Sequence, residues 1–340
     1  MNKITIYALF LAAVLSMTGC AKEPEVGAND ANRRYLEAWM HINHPEATRT
    51  DLGVYILDSR EGDGETVVTN EGYAIVDYTI RTLEGGISSY TDSTTARQMG
   101  TYSRSSYYGP RVWMTYDETI QAGLQNILVG MKTGGYMKAV IPSWLMSYST
   151  YETEKEYLKQ TGDFANAIYE FTVRDFTDSI DVWQIDSIKR YIERNYGELS
   201  AFESDTTGFY YRQLQAPVSD EAFSSDTTIY INYTGKLLNG LIFDTTYERV
   251  AKDNGLYVNG KTYEPVSIKW GEEYSDLTMG SASSTVIGGF ARTLWQMKAM
   301  EKGIGILYSN LGYGYSGSEP SIPPYSPLIF EIEIVAEPEE

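Results

Sequence analysis

One cysteine and two histidines in 340 residues remove whole classes of chemistry from consideration. Cys20 has no partner within the chain, so no internal disulfide can staple the fold. His41 and His44 stand at i and i+3 near the end of one helical segment, with no cysteine or carboxylate sharing their face. They read as a surface helix terminus, and no metal site is expected. Serine hydrolysis would need a further histidine and a GxSxG turn, and the chain has neither. Basic charge is also scarce: 27 Lys and Arg against 46 Asp and Glu give a net charge of -19. Phosphate binding needs a basic face, so a nucleic-acid partner is not expected, and the scattered carboxylates read as a solubilising surface.

Long apolar runs are missing except for one. After Lys3 comes "ITIYALFLAAVLSM", too short to span a bilayer comfortably and shaped like the apolar region of a secretory signal. It ends in "MTGC", where Thr18 and Gly19 before Cys20 resemble a bacterial lipobox. That resemblance implies that Cys20 is lipidated and becomes the first residue of the mature protein. The polar "AKEPEVGANDAN" after it suits a tether, and its Lys22 and Glu23 resemble the surface-export tags of Bacteroides-type lipoproteins. The expected layout is a signal peptide over residues 1–19, a tether over 20–29, and a lipid anchor in the cell envelope. An outer-membrane position facing the periplasm or the surface is expected.

What the chain does have is a repeat. "RRYLEAW" from Arg33 is echoed by "KRYIERN" from Lys189, "GVYIL" from Gly53 by "GFYYR" from Gly208, and "AIVDYT" by "IYINYT". "GLQNILVGMKTGG" from Gly123 matches "GFARTLWQMKAME" from Gly289 loosely, and "IYEFTVRDF" matches "LIFEIEIV". The offset is 155 residues from Gly53 to Gly208 and again from Tyr78 to Tyr233. Each unit reads as a helix, a short strand, a strand, a variable loop, a short helix and two more strands, an α+β arrangement. A helix over 177–200, with Ile185, Ile188 and Ile192 on one side, joins units spanning 30–176 and 201–340.

Near the C-terminus, Gly312, Gly314 and Gly317 spell GxGxxG, the letters of a dinucleotide loop. Those glycines bind a pyrophosphate only when a helix follows. Here Pro320, Pro323, Pro324 and Pro327 follow, and then the alternating strand "LIFEIEIV" with Leu328, Phe330, Ile332 and Ile334 on one face. No nucleotide is expected.

From Thr228 onward, over about 110 residues, the chain resembles the FKBP-type peptidyl-prolyl cis-trans isomerases. The match runs in order through "IYINYTGKLLNGLIFDTTYER", "VIGGF", "LGYGYSG" and "SIPPYSPLIFEIEIV". The resemblance implies two FKBP-like domains, each an antiparallel sheet wrapped over a short helix and preceded by a helix. It places Tyr233, Phe243, Asp244, Ile287, Phe290, Tyr313 and Phe330 at a catalytic prolyl pocket, with Val286 and Ile322 in its walls. Arg249 is expected to pair with Asp244, and Val266 to fill a wall. The family's Ile287 amide and Tyr313 hydroxyl positions bind substrate carbonyls, and Asp244 lies at the rim. Asp244 also reads as a turn residue capping Thr246. No cofactor is implied, and the partners are proline-containing polypeptides.

The residue types suit that chemistry. Rotating an Xaa-Pro bond breaks no covalent bond and must only cross a barrier of about 18–20 kcal/mol set by amide resonance. An aromatic slot that strips water from the amide favours the twisted form, which has lost its charge-separated resonance. Three departures stand out: Phe290 where the family usually has tryptophan, Ser318 where histidine is frequent, and an insertion over 250–285 that covers or extends the site. They leave room for a second reading, a non-catalytic envelope lipoprotein that binds or scaffolds a partner.

The first unit departs further. Ile80 stands where the family has glycine, "YTDST" from Tyr90 only approximates the FD(S/T) run, and Leu124 replaces the pocket floor. A Glu/Lys-spaced helical turn within "STYETEKEYLKQTGDFANAIYEF" replaces the proline flap. This unit is expected to be a degenerate, inactive copy.

Overall fold

The computed structural model describes residues 27, 29–162, 164–280 and 284–338. The leader and Cys20, on which the export and lipid readings rest, lie outside the described residues.

The first unit begins with helix α1 (Asp30–Asn43) and builds a sheet from β1 (Thr48–Arg49), β2 (Tyr55–Arg60), β3 (Tyr73–Thr82), β4 (Ile87–Tyr90), β5 (Arg111–Met114), β6 (Tyr136–Ile141) and β7 (Ala167–Thr177). Helices α2 (Ser93–Gln98), α3 (Ala122–Leu128) and α4 (Glu154–Tyr157) are short. Helix α5 (Ile180–Tyr196) leads into the second unit, made of β8 (Phe209–Gln215), β9 (Thr228–Leu237), β10 (Ile242–Thr245), α6 (Glu248–Asp253), β11 (Val266–Lys269), β12 (Thr278–Met279), β13 (Ser284–Thr285), α7 (Gly288–Trp295), β14 (Lys302–Leu307) and β15 (Leu328–Val335).

The duplication seen in the sequence is a duplication of topology. Strands run β2-β6-β7-β3 in the first sheet and β8-β14-β15-β9 in the second, with β4 and β5 on β3 as β10 and β11 are on β9. All of these pairings are antiparallel. The fold class is therefore α+β, with each sheet wrapped over a short helix, α3 or α7. The predicted helical turn appears as α4, closed by a capping box in which Thr153 and Glu156 bond each other's backbone amides. Within the insertion β11 holds on β9 the place that β5 holds on β3, and β12 and β13 extend the sheet at its edge.

Helix α5 is not a free linker. Ile180, Gln184, Ile188 and Ile192, spaced by four, are its buried residues. Ile188 and Ile192 pack with Tyr210, Ile304, Ile306 and Ile329 on the outer face of the second sheet. Helix α7 covers the inner face, so β14 is buried along almost its whole length rather than alternating. Ile185, expected on one side with Ile188 and Ile192, is half-buried, and Gln184 is the residue buried in line with them. Its Oε1 accepts the Ser309 N–H at 2.8 Å, while its buried Nε2 finds no partner among the described residues.

Burial also acts on tyrosine. Desolvation pushes the phenols of Tyr136, Tyr169 and Tyr196 up to about 12. An unfolded phenol titrates near 10, so between about pH 10 and 12 the unfolded chain loses protons that the folded chain keeps. This contribution is intact below pH 10 and is lost as pH rises through the folded values. Urea midpoints are expected to hold level to about pH 9.5 and then fall, with phenolate absorbance rising together with unfolding. Midpoints unchanged up to pH 12 would contradict this.

Candidate active site

Strand β9 and the glycine that it carries set the width of the site. Gly235 lies opposite Phe330 on β15, and a Cβ there would meet the Phe243 ring at 2.5 Å and the Phe330 ring at 3.0 Å. Only a residue without a side chain lets the two rings close in. Phe243 meets Phe330 edge to face at 5.7 Å, Phe290 meets Phe330 at 5.0 Å, and Tyr233 meets Phe290 at 5.4 Å. Such pairs add about 0.5–1.5 kcal/mol each beyond area burial. Phe290, Phe330 and Ile322 are each 3% exposed, so the base of the slot is dry.

Helix α7 supplies the opposite wall. Val286 and Ile287, half-buried, lead into it, and Ile287 is its N-cap in extended conformation (φ -63°, ψ 146°). Its carbonyl accepts the Ala291 N–H at 3.0 Å, while among the described residues no acceptor takes its own N–H. That amide is one of the orphan donors every helix start exposes, and here it borders an apolar slot.

The rim is polar. The Tyr233 hydroxyl donates to Asp244 Oδ2, and Asp244 Oδ1 accepts the Thr245 N–H at 2.9 Å. Thr246 donates instead to Asn232, so Asp244 braces Tyr233 rather than capping Thr246. Burial, followed by the charge of Asp244 and its hydrogen bond, drives the Tyr233 phenol far above its ordinary range. Tyr313, 38% exposed, is raised by burial and then by Asp244. Both phenols keep their protons, and so remain donors, throughout the neutral range.

The flap between β14 and β15 carries Tyr313 and Ile322. Gly314 (φ 58°) and Gly317 (φ 63°) make its turns, and Ser318 and Ile322 exchange both backbone hydrogen bonds at 2.6 and 2.9 Å. The GxGxxG letters thus belong to a loop ladder, and no helix follows them. Val266, paired with Ile231, stands with Tyr233 at a separate cavity of about 440 Å³ framed by the insertion.

Arg249 contradicts its expected role. It sits in the first turn of α6 with its side chain 94% exposed, and its nearest carboxylate is Asp253 at 3.8 Å. Asp244 is already satisfied by Tyr233 and Thr245, so no geometry draws the arginine in. Arg249→Ala is therefore expected to change any rate read in an Xaa-Pro isomerisation assay by no more than about twofold, since an exposed i,i+4 pair contributes only about 0.3–0.5 kcal/mol. A tenfold loss in an Xaa-Pro isomerisation assay would restore the arginine to the pocket.

The first unit holds the same frame with other contents. Thr91 N–H donates to the Tyr78 carbonyl at 3.0 Å and Tyr78 N–H to Thr91 Oγ1 at 3.0 Å, as Thr246 and Tyr233 do at 3.1 and 3.0 Å. This register sets Thr91 opposite Thr246. Ser88 and Ser89, not the Tyr90 and Thr91 of "YTDST", therefore occupy the places of Phe243 and Asp244, while Asp92 caps α2 through the Thr95 amide. Ile80, opposite Tyr169, fills the room that Gly235 leaves open. What remains is a cavity of about 320 Å³ among Tyr78, Trp113, Leu124 and Tyr169. Trp113, stacked on Tyr78 at 5.1 Å, had no sequence signal.

Among the described residues no three His, Cys, Asp or Glu side chains cluster as metal ligands, and no helix is long and apolar enough to cross a membrane. Residues 219–335 match the family model described as FKBP-type peptidyl-prolyl cis-trans isomerase. The bovine peptidyl-prolyl cis-trans isomerase FKBP11 is 32% identical over 120 residues, covering 35% of this chain and 46% of that protein. FKBP15-2 of Arabidopsis thaliana is 32% identical over 109 residues, 32% of this chain and 52% of that one. FkpA of Escherichia coli K12 is 27% identical over 147 residues, 43% and 44% respectively. The chain thus spans about half the length of the curated relatives it matches.

Proposed function

We propose, from the membership of residues 219–335 in the FKBP-type peptidyl-prolyl cis-trans isomerase family, that the second unit isomerises Xaa-Pro bonds of polypeptides. The observation that carries this reading is the cluster of three rings, Phe243, Phe290 and Phe330, whose close approach Gly235 permits, with the Ile287 amide at the start of the helix that carries Phe290. A pyrrolidine ring enters between the rings, and the preceding carbonyl turns toward the Ile287 N–H. Loss of water from the amide favours the twisted state, whose carbonyl carbon and nitrogen are less polarised than in the planar one. Tyr313 donates to a substrate carbonyl from the flap, and Asp244 holds Tyr233 edge-on to Phe290. No proton is transferred, so the rate should be flat from pH 6 to 9.

The clients are exported proteins, and the chain is held at a bacterial membrane through lipid on Cys20. The apolar leader, the "MTGC" sequence and the lack of any partner for that cysteine support this part. Palmitate labelling in a lipoprotein-processing bacterium tests it: label on the wild type and none on Cys20→Ala is expected, and an unlabelled, freely soluble mature wild type would overturn it. The isomerase reading is tested by proline-limited refolding of a denatured protein. Catalytic amounts of the full chain should shorten the slow phase of tens to hundreds of seconds, and Asp244→Ala should shorten it less. A slow phase that never responds, even at stoichiometric protein, would refute the reading.

A further inference from the structure

The flap that closes the isomerase slot has two sides, and the second side belongs to the first unit. Strand β5 and the loop before it reach across to it. The Tyr107 N–H donates to the Pro320 carbonyl at 2.8 Å. The Arg111 guanidinium forks onto both carboxylate oxygens of Glu319, the longer contact at 3.3 Å. The Tyr325 hydroxyl donates to the sulfur of Met114 at 3.4 Å, and its ring meets Tyr73 edge to face at 5.6 Å. Farther along the same loop, Arg104 donates to the Asp253 carbonyl at 3.4 Å, at the end of α6 beyond Asp244. One segment of the first unit, residues 104–114, therefore touches both the flap and the α6 end of the second unit.

The flap backbone carries the mark of that contact. Tyr325 holds φ at 60°, a region that a bulky residue enters only when its surroundings over-determine it. Its amide donates to Gly314 at 3.0 Å, tying the strained turn to the residue beside Tyr313. Tyr315, Pro324 and Tyr325 also line the first unit's cavity. Ile322 thus packs into the second unit's apolar cluster and Pro324 lines the first unit's cavity, two residues apart on one loop.

We propose that the first unit is the positioning clamp of the isomerase flap: Arg111 and Tyr107, with Tyr73 and Met114 against Tyr325, fix the loop so that Tyr313 and Ile322 meet the substrate. The degenerate copy would then have kept its frame while losing the residue types of the prolyl pocket, because its surface is what the second unit needs. This inference rests on the isomerase reading for its effect on substrate, but its effect on the flap stands independently.

The test uses the full chain. Arg111→Glu sets two carboxylates against each other, and Arg111→Glu with Glu319→Arg restores the pair in reverse. Hydrogen exchange of the amides of residues 313–325 and the KM and kcat for an Xaa-Pro peptide are measured in wild type and in both variants. Arg111→Glu should speed flap exchange about fivefold and raise KM by a similar factor, with kcat within about twofold. The reversed pair should return both quantities to within twofold of wild type. If flap exchange and KM do not change in Arg111→Glu, or if the reversal fails to rescue them, the clamp is overturned. Should the wild type prove inactive, the isomerase reading falls, and flap exchange alone then decides the clamp by the same criteria.

Discussion

Gly235→Ile should lower isomerisation by the full chain about a hundredfold or more while leaving its fold in place. The new Cβ lands 2.5 Å from Phe243 and 3.0 Å from Phe330, so the rings must part and the slot fills with aliphatic carbon. Overpacking of this kind costs about 1–3 kcal/mol, which a second unit buried on both faces of its sheet can absorb. The first unit already carries this solution, with Ile80 facing Tyr169 at the matching place. A hundredfold loss corresponds to about 2.7 kcal/mol of transition-state stabilisation. Gly235→Ala should fall between the two, because one methyl displaces the rings without occupying the proline's volume. Peptide isomerisation rates with circular dichroism as the fold control check the series, and wild-type rates in Gly235→Ile would show that the substrate binds elsewhere.

Phe290→Ala should have the largest effect on stability. Phe290 is buried at the junction of two edge-to-face contacts, with Tyr233 and with Phe330. Truncation there removes both contacts and leaves a cavity, for a cost of about 3–5 kcal/mol. Trp270 and Trp295, stacked 5.2 Å apart in the same unit, give a fluorescence signal for urea unfolding. Because this variant loses activity through unfolding as well as through chemistry, Phe290→Leu separates the two. Leucine already serves at the equivalent Leu124, and although it gives up the two edge-to-face contacts it fills most of the ring's volume and costs less than the truncation to alanine. Phe290→Leu should therefore stay folded yet isomerise about tenfold more slowly. A Phe290→Ala variant as stable as wild type would mean that the ring is not part of the packed floor.

The slot was legible in the sequence because its residues sit in short motifs whose local geometry fixes them. "YTG" puts Tyr233 and Gly235 on the same strand, "VIGGF" puts Ile287 at a helix start and Phe290 one turn in, and the alternation of "LIFEIEIV" points Phe330 inward. The repeat was legible for a similar reason, since strand order follows from the order of the patterns. Arg249 was misread because a helix turn decides where a side chain points, and α6 turns it outward. "YTDST" was misplaced by two residues because its letters outweighed the 155-residue offset, which sets Ser88 on Phe243 as the hydrogen bonds between Thr91 and Tyr78 do. Gln184 was missed because a buried glutamine depends on a partner far away in the chain, Ser309. The clamp left no trace for the same reason: Arg111 and Glu319 lie 208 residues apart, and each reads alone as an ordinary surface charge.

Whether the second unit's slot lowers the barrier to Xaa-Pro rotation is read most directly by two-dimensional exchange NMR on a proline peptide with the full chain added. Cis–trans cross-peaks should grow at a rate proportional to wild-type protein and fall to the uncatalysed rate with Gly235→Ile. Exchange that stays uncatalysed at high wild-type protein, or that is equally fast with Gly235→Ile, would contradict the isomerase reading of the slot.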